Sequence, residues 1–111
     1  MSHKTMKVLI IEPGKVPYSA DIPSGLESLQ KQVGGLIQAL YPFTDPDAAI
    51  ICNDEGKLLG LPWNRPLVDA DGNMYDIIVG TFLVVGLTED DFGSLSEEQI
   101  QRYTEYFHRG F

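Results

Sequence analysis

The chain reads as a single α+β domain: a mixed or antiparallel sheet of about five to six short strands, with two helices packed on it. Three observations predict this. Short runs of β-branched and apolar residues recur along the chain, each bounded by Gly, Pro, Asn or Asp. Two other segments carry a capping signature and then apolar residues at helical spacing. The length of 111 residues, 43% of them hydrophobic, suits one domain with a real core.

Residues 1–5 are expected to be a disordered start, with the domain spanning 6–111. "MKVLIIE", residues 6–12, is a buried strand. "PGKVP" ends it with turn chemistry, and "YSADI" alternates as an antiparallel partner would. Ser24 and Glu27 form a capping-box pattern that opens the first helix. Leu26, Leu29, Val33, Leu36, Ile37 and Leu40 then follow the 3.6-residue period, and Pro42 stops it. Gly34 and Gly35 fall inside this helix, where a close approach to the sheet or to a ligand would explain them.

"AAIIC", residues 48–52, is the next strand, and "NDEGK" turns it. "KLL" returns as a strand. Asp71 and Gly72 signal a hairpin turn. The apolar run from Ile77 to Leu87 is the central strand, and Gly80 and Gly86 within it point to a bulge or a close approach. Ser96 and Gln99 cap the last helix, whose Ile100, Tyr103 and Phe107 share one face. Glu97 and Glu98 at its start, with Arg102, His108 and Arg109 toward its end, suit the helix dipole.

Composition excludes several classes. The net charge is -8. Residues 1–67 carry seven acids and six bases, whereas residues 68–111 carry nine acids and two bases. Direct binding to a nucleic-acid backbone needs clustered Lys and Arg, so it is not expected. An acidic half suits a basic protein partner or mimicry of nucleic acid. The one cysteine, Cys52, excludes an internal disulfide and reads as a buried, inert thiol. With His3 and His108 the only histidines, neither a zinc site nor a catalytic triad is built, and no cofactor is expected. No apolar run reaches membrane-spanning length and no signal-peptide cleavage pattern is present, so a cytoplasmic protein is expected.

"IEPGK", "KQVGGLIQALYPF", "ICNDEGKLLGLPWNRPL" and "DIIVGTFLVVGL" together resemble a family of short domain-of-unknown-function proteins from Gram-positive bacteria, their conjugative elements and phages. The resemblance runs from about Lys7 to the last helix. It implies a cytoplasmic setting beside genes that handle DNA, replication or host defence. It supplies no catalytic residue, no cofactor and no reaction.

The stretch "GLPWNRPL", residues 60–67, holds the only tryptophan. Pro62 and Pro66 push Leu61 and Arg65 toward extended backbone, so the segment reads as a stiff loop. Trp63 offers a flat apolar face, Arg65 a planar fork and Asn64 an amide. With Lys57, Tyr18 and Thr81 they would clamp a small, nucleotide-like ligand. Alternatively Trp63 caps the core and Arg65 pairs with a local acid. "DADGN", residues 69–73, resembles the start of a calcium loop, but the acid that loop needs would fall at Gly80, so no metal site is assigned.

Two readings of function follow. The first is a non-enzymatic accessory protein that binds a small ligand, sequestering a host signal. The alternative is an acidic interaction module or DNA mimic that engages a basic partner through Asp76, Glu89, Asp90, Asp91, Glu97 and Glu98. Enzymatic activity lacks an activated nucleophile or metal cluster in the sequence. Tyr103, Tyr106, Phe107 and Phe111 leave a homodimer open, their other reading being core packing.

Overall fold

A computed structural model describes residues 4–109 of the chain. The elements run β1 (Thr5–Ile11), β2 (Tyr18–Pro23), α1 (Leu26–Val33), β3 (Ile37–Leu40), β4 (Ala48–Asn53), β5 (Trp63–Val68), β6 (Met74–Val79), β7 (Phe82–Leu87), β8 (Phe92–Gly93) and α2 (Glu97–Tyr106). Six strands make an antiparallel sheet in the order β2-β1-β7-β4-β3, with β8 continuing beside β7. β5 and β6 form a separate two-stranded sheet. The α+β class holds, with more strands than the sequence suggested.

Alternation along the central strands explains the layers. Leu9 and Ile11, Ile50 and Cys52, and Phe82 and Val84 face one side. Val8 and Ile10, Ala49 and Ile51, and Leu83 and Val85 face the other. Side chains on a strand point alternately to opposite faces, so continuous apolar runs demand cover on both. Helix α1 covers one face with Leu29 and Val33. Helix α2 covers the other with Tyr103 and Phe107, joined there by Leu67 and Ile78 of the hairpin.

Five expectations are corrected. The first helix ends at Gly34, well before Pro42. Gly34 takes φ +80°, a left-handed value that suits glycine, and the N–H groups of Gly34 and Gly35 both donate to Gln30 O. Residues 37–40 pair instead with β4, Ile37 opposite Asn53. Asn53 Nδ2 donates to Val33 O at 3.1 Å, so the next strand helps close the helix end. Its amide lies where a side chain on Gly35 would have to go. The capping box at Ser24 is also absent: the N-cap is Gly25, and Ser24 N donates to Lys4 O.

"KLL" is a turn, not a strand, closed by Leu59 N to Glu55 O and Leu61 N to Gly56 O. The run from Ile77 to Leu87 is not one strand. Gly80, at φ +73°, redirects the chain between two sheets and donates its N–H to Pro62 O. "GLPWNRPL" is not a stiff loop either: Trp63–Val68 is strand β5. A two-stranded ribbon leaves one side of each strand unpaired, and that tolerates Pro66 in mid-strand.

Of the C-terminal aromatics, Tyr103 and Phe107 pack inward, while Tyr106 is 49% exposed. Phe107 meets Phe82 at 5.3 Å between centroids and Phe43 meets Tyr103 at 4.3 Å. Phe111 lies outside the described residues, as do residues 1–3 of the expected disordered start, while Thr5 already belongs to β1. The capping box of Ser96 and Gln99 forms as expected. No basic residue falls in the last turn of α2. Among the described residues, no helix is long and apolar enough to cross a membrane.

Candidate functional site

The hairpin β5–β6 places the residues that the sequence grouped together, and it separates them. Trp63 is 64% exposed. Asn64 and Arg65 are buried, Arg65 to 2%. A register shift between Trp63 and Arg65 makes Asn64 the extra residue of a bulge. Its side chain turns inward, and Nδ2 donates to Ile11 O at 2.9 Å and to Gly80 O at 2.7 Å. It thus ties the hairpin to the end of β1 and to the crossover.

Among the described residues Arg65 pairs with no carboxylate. Its guanidinium donates to four oxygens: Phe107 O at 2.8 Å, Lys15 O at 2.6 Å, Asn64 O at 3.2 Å and Asn64 Oδ1 at 2.7 Å. Burial pulls its pKa below the ordinary arginine value. Phe107 caps the C-terminal end of α2, where carbonyls concentrate partial negative charge. Arg65 therefore supplies the cation for that helix end. A planar fork with five donors fits this scattered set of acceptors, which a lysine could not reach. Arg65 and Asn64 thus hold the core side of the hairpin and do not clamp a ligand beside Trp63.

Around Trp63 lies an open hollow of about 320 Å³, lined by Lys57, Trp63, Met74, Tyr75, Asp76, Ile77 and Val79. Trp63 stands opposite Val79 and Pro66 opposite Ile77 in the ribbon. Ile77 and Val79 alternate with the core-facing Ile78, so they lie on the other face of the ribbon, Ile77 half-buried and Val79 buried. Lys57 reaches Asp76 from the turn after β4, its Nζ donating to Asp76 Oδ1. That bond, with help from Ile77 N–H, holds the Asp76 carboxyl below the usual carboxylate range. A second, smaller hollow of about 120 Å³ shares Lys57, Asp76, Ile77 and Val79 and reaches back to Cys52 and Gln38. The Lys57–Asp76 bridge therefore lines two adjoining depressions. Burial pushes the Cys52 thiol up to about 11, so it serves there as an inert wall.

Of the six residues expected to clamp a ligand, only Trp63 and Lys57 line the hollow. Tyr18 opens the edge strand β2, opposite Ile10. Thr81 sits half-buried in the crossover after Gly80. Tyr75 and Met74 were not singled out from the sequence. The signal available was the Asp-Gly turn, which folds that strand back beside Trp63.

The acidic residues separate too. Glu89, Asp90 and Asp91 line an open groove of about 680 Å³, together with Tyr41, Pro46, Asp47, Leu87, Thr88 and Phe92. Glu97 lies 3.9 Å from Lys7, and Glu98 meets Arg102 at 3.1 Å. Asp76 belongs to the Trp63 hollow. Among the described residues no group of three or more His, Cys, Asp or Glu side chains is arranged to hold a metal.

Flat aromatic surface, an aliphatic floor and one ammonium–carboxylate pair can take a planar group with a polar edge.

Residues 6–108 match the model of DUF3846, a domain of unknown function. The chain belongs to this family. No curated protein and no solved structure matches it. Membership in DUF3846 carries no reaction or ligand with it, so the chemistry rests on the geometry above.

Proposed function

We propose that the protein is a non-enzymatic binding module whose site is the hollow beside Trp63. The exposed indole over an aliphatic floor, with Lys57 and Asp76 at its side, carries this reading. A planar ligand of nucleobase type would lie against Trp63 and Tyr75. Lys57 would meet an acceptor or a negative group, and Asp76 a donor. With Arg65 committed to backbone carbonyls, a phosphate would gain only Lys57, so the base and not the phosphate dominates recognition. In a cytoplasmic setting of phage or mobile-element genes, such a protein would sequester a host signal by binding alone.

Trp63 is the only tryptophan, so fluorescence excited selectively at the indole, beyond tyrosine absorption, reports this surface alone. Titration with a panel of nucleosides and nucleotides is expected to quench and shift the emission for at least one of them. Calorimetry on Lys57→Ala and Tyr75→Ala should then show weaker binding of that compound. Flat titrations across the panel, or unchanged affinity in both variants, would end the ligand reading.

A second reading is favoured by one observation: the large groove beside β8 has four carboxylates in its walls and no cation. Tyr41 and Phe92 add apolar surface. This groove would receive a basic segment of a protein partner, as an antirestriction-type module does. Neutralising Glu89, Asp90 and Asp91 together should abolish retention of an arginine-rich peptide. Retention unchanged by that triple substitution would remove this reading.

A further inference from the structure

The hollow beside Trp63 is one-sided. Ligand sites usually enclose 70–90% of a small molecule, roughly, and an open depression on a two-stranded ribbon encloses far less. We propose that a second copy of this chain supplies the missing wall, the two hairpins meeting face to face about a two-fold axis. The inference rests on the ligand reading above and names what completes that site.

Charge selects the surface on which two copies can meet. Each chain carries -8, so identical surfaces repel over most of the molecule. The large groove, with Asp47, Glu89, Asp90 and Asp91, is the extreme case. The Trp63 hollow is different, because the charged groups in its walls are Lys57 and Asp76, which sum to zero. A two-fold interface uses the same patch twice, so residue i meets j and j meets i. An adjacent Lys and Asp satisfy that rule on their own: Lys57 of each copy can share Asp76 of the other.

The apolar area is of the right order. Leu58 is 87% exposed, Trp63 64%, Tyr75 58% and Met74 56%. At roughly 200 Å² per large side chain, these leave on the order of 500 Å² bare. That exceeds half of the about 800 Å² that each partner buries in a standard interface. Trp, Tyr and Met are also the residue types that interface centres favour. Joined this way, two Trp63 rings and two Tyr75 rings would line one shared chamber.

The test is a charge-swap mixing experiment on the full chain by analytical ultracentrifugation. Wild type is expected to sediment as a dimer at high micromolar concentration. Lys57→Asp and Asp76→Lys, each alone, place like charges across the axis and should sediment as monomers. Their equimolar mixture should dimerise again, since each then offers what the other lacks. Circular dichroism melts check that both variants fold. A wild type that stays monomeric at 12.3 kDa overturns the proposal. Variants that still dimerise alone, or a mixture that stays monomeric, overturn it equally. The ligand reading is scored separately, by fluorescence titration of wild type below and above the concentration at which it dimerises. Quenching of equal strength at both concentrations would keep the ligand and reject the shared chamber. A charge-dependent dimer with no quenching would support the interface and reject the ligand.

Discussion

The Arg65 side chain donates through Nε to the carbonyl of Phe107, 2.8 Å away, and so joins the hairpin to the far end of α2. One guanidinium also gathers Lys15 and Asn64, so three segments distant in sequence converge on it. Removing it strands several buried carbonyls. Arg65→Met should therefore lose about 3 kcal/mol, the scale of a broken buried polar network. Arg65→Lys should also lose stability, because a point charge cannot span the set. Urea midpoints for both variants check this. A shift of under about 0.5 kcal/mol, the range of ordinary surface changes, would refute it.

Asp45 predicts a pH dependence. Its carboxylate accepts from Gln99 Nε2 and Tyr103 Oη, both at 3.0 Å, and from Asp47 N at 2.8 Å. Gln99 first, then the Asp47 backbone, hold its pKa below the ordinary aspartate value of 3.8. The unfolded chain thus takes up the proton before the folded one does. Stability from Asp45 is full above about pH 4 and is lost as pH falls through the depressed folded value. Asp45→Asn should flatten the acid limb of a stability–pH profile.

Tyr103 acts at the other end of the scale. Burial first, then Asp45, push its hydroxyl up to about 12 from 10.0. A raised folded pKa contributes stability that is complete below pH 10 and fades as pH climbs toward 12. Tyr103→Phe should remove that alkaline decline, as read by thermal melts from neutral to strongly basic pH.

Cys52 should be silent in the native protein. Burial raises its thiol to about 11, so little thiolate forms at neutral pH. A chromogenic disulfide reagent should react with it only under denaturing conditions. Rapid labelling of native protein would contradict the burial.

Gly86 faces the backbone of Ser94 so closely that a Cβ would run into the Ser94 carbonyl oxygen. Gly86→Ala should displace β8 and cost about 2 kcal/mol, the range for overpacking a tight site. Gly34→Ala meets open space and pays only for its left-handed φ, about 1 kcal/mol. Ranking the two melting temperatures tests the difference.

Continuous apolar runs made β1 and β4 legible, because burial on both faces removes the polar alternation, but the same signal merged β6 and β7 into one expected strand. Ser96 and Gln99 were legible for a local reason: both partners of the box lie in one turn. Residues 26–40 were not. Leu36, Ile37 and Leu40 fit a helical period as well as a strand, and Asn53, which helps close the helix end, is 20 residues away. Arg65 illustrates the limit for the site. Sequence supplies its chemistry and its proline neighbours, but two of its four acceptors, on Lys15 and Phe107, come from distant segments. Only the assembled fold shows that the indole points out while the guanidinium points in.

The strand at the middle of the main sheet, β7, begins at Phe82. It bridges β1 and β4, which the ribosome delivers long before it. Until Phe82 to Leu87 emerge, the two earlier strands have no neighbour between them and their greasy faces stay wet. Pairing across such sequence distances is slow, and bare strand edges invite self-association. A nascent chain of this protein is thus at its most aggregation-prone just before β7 emerges, when one late strand closes a sheet that the earlier ones could only prepare.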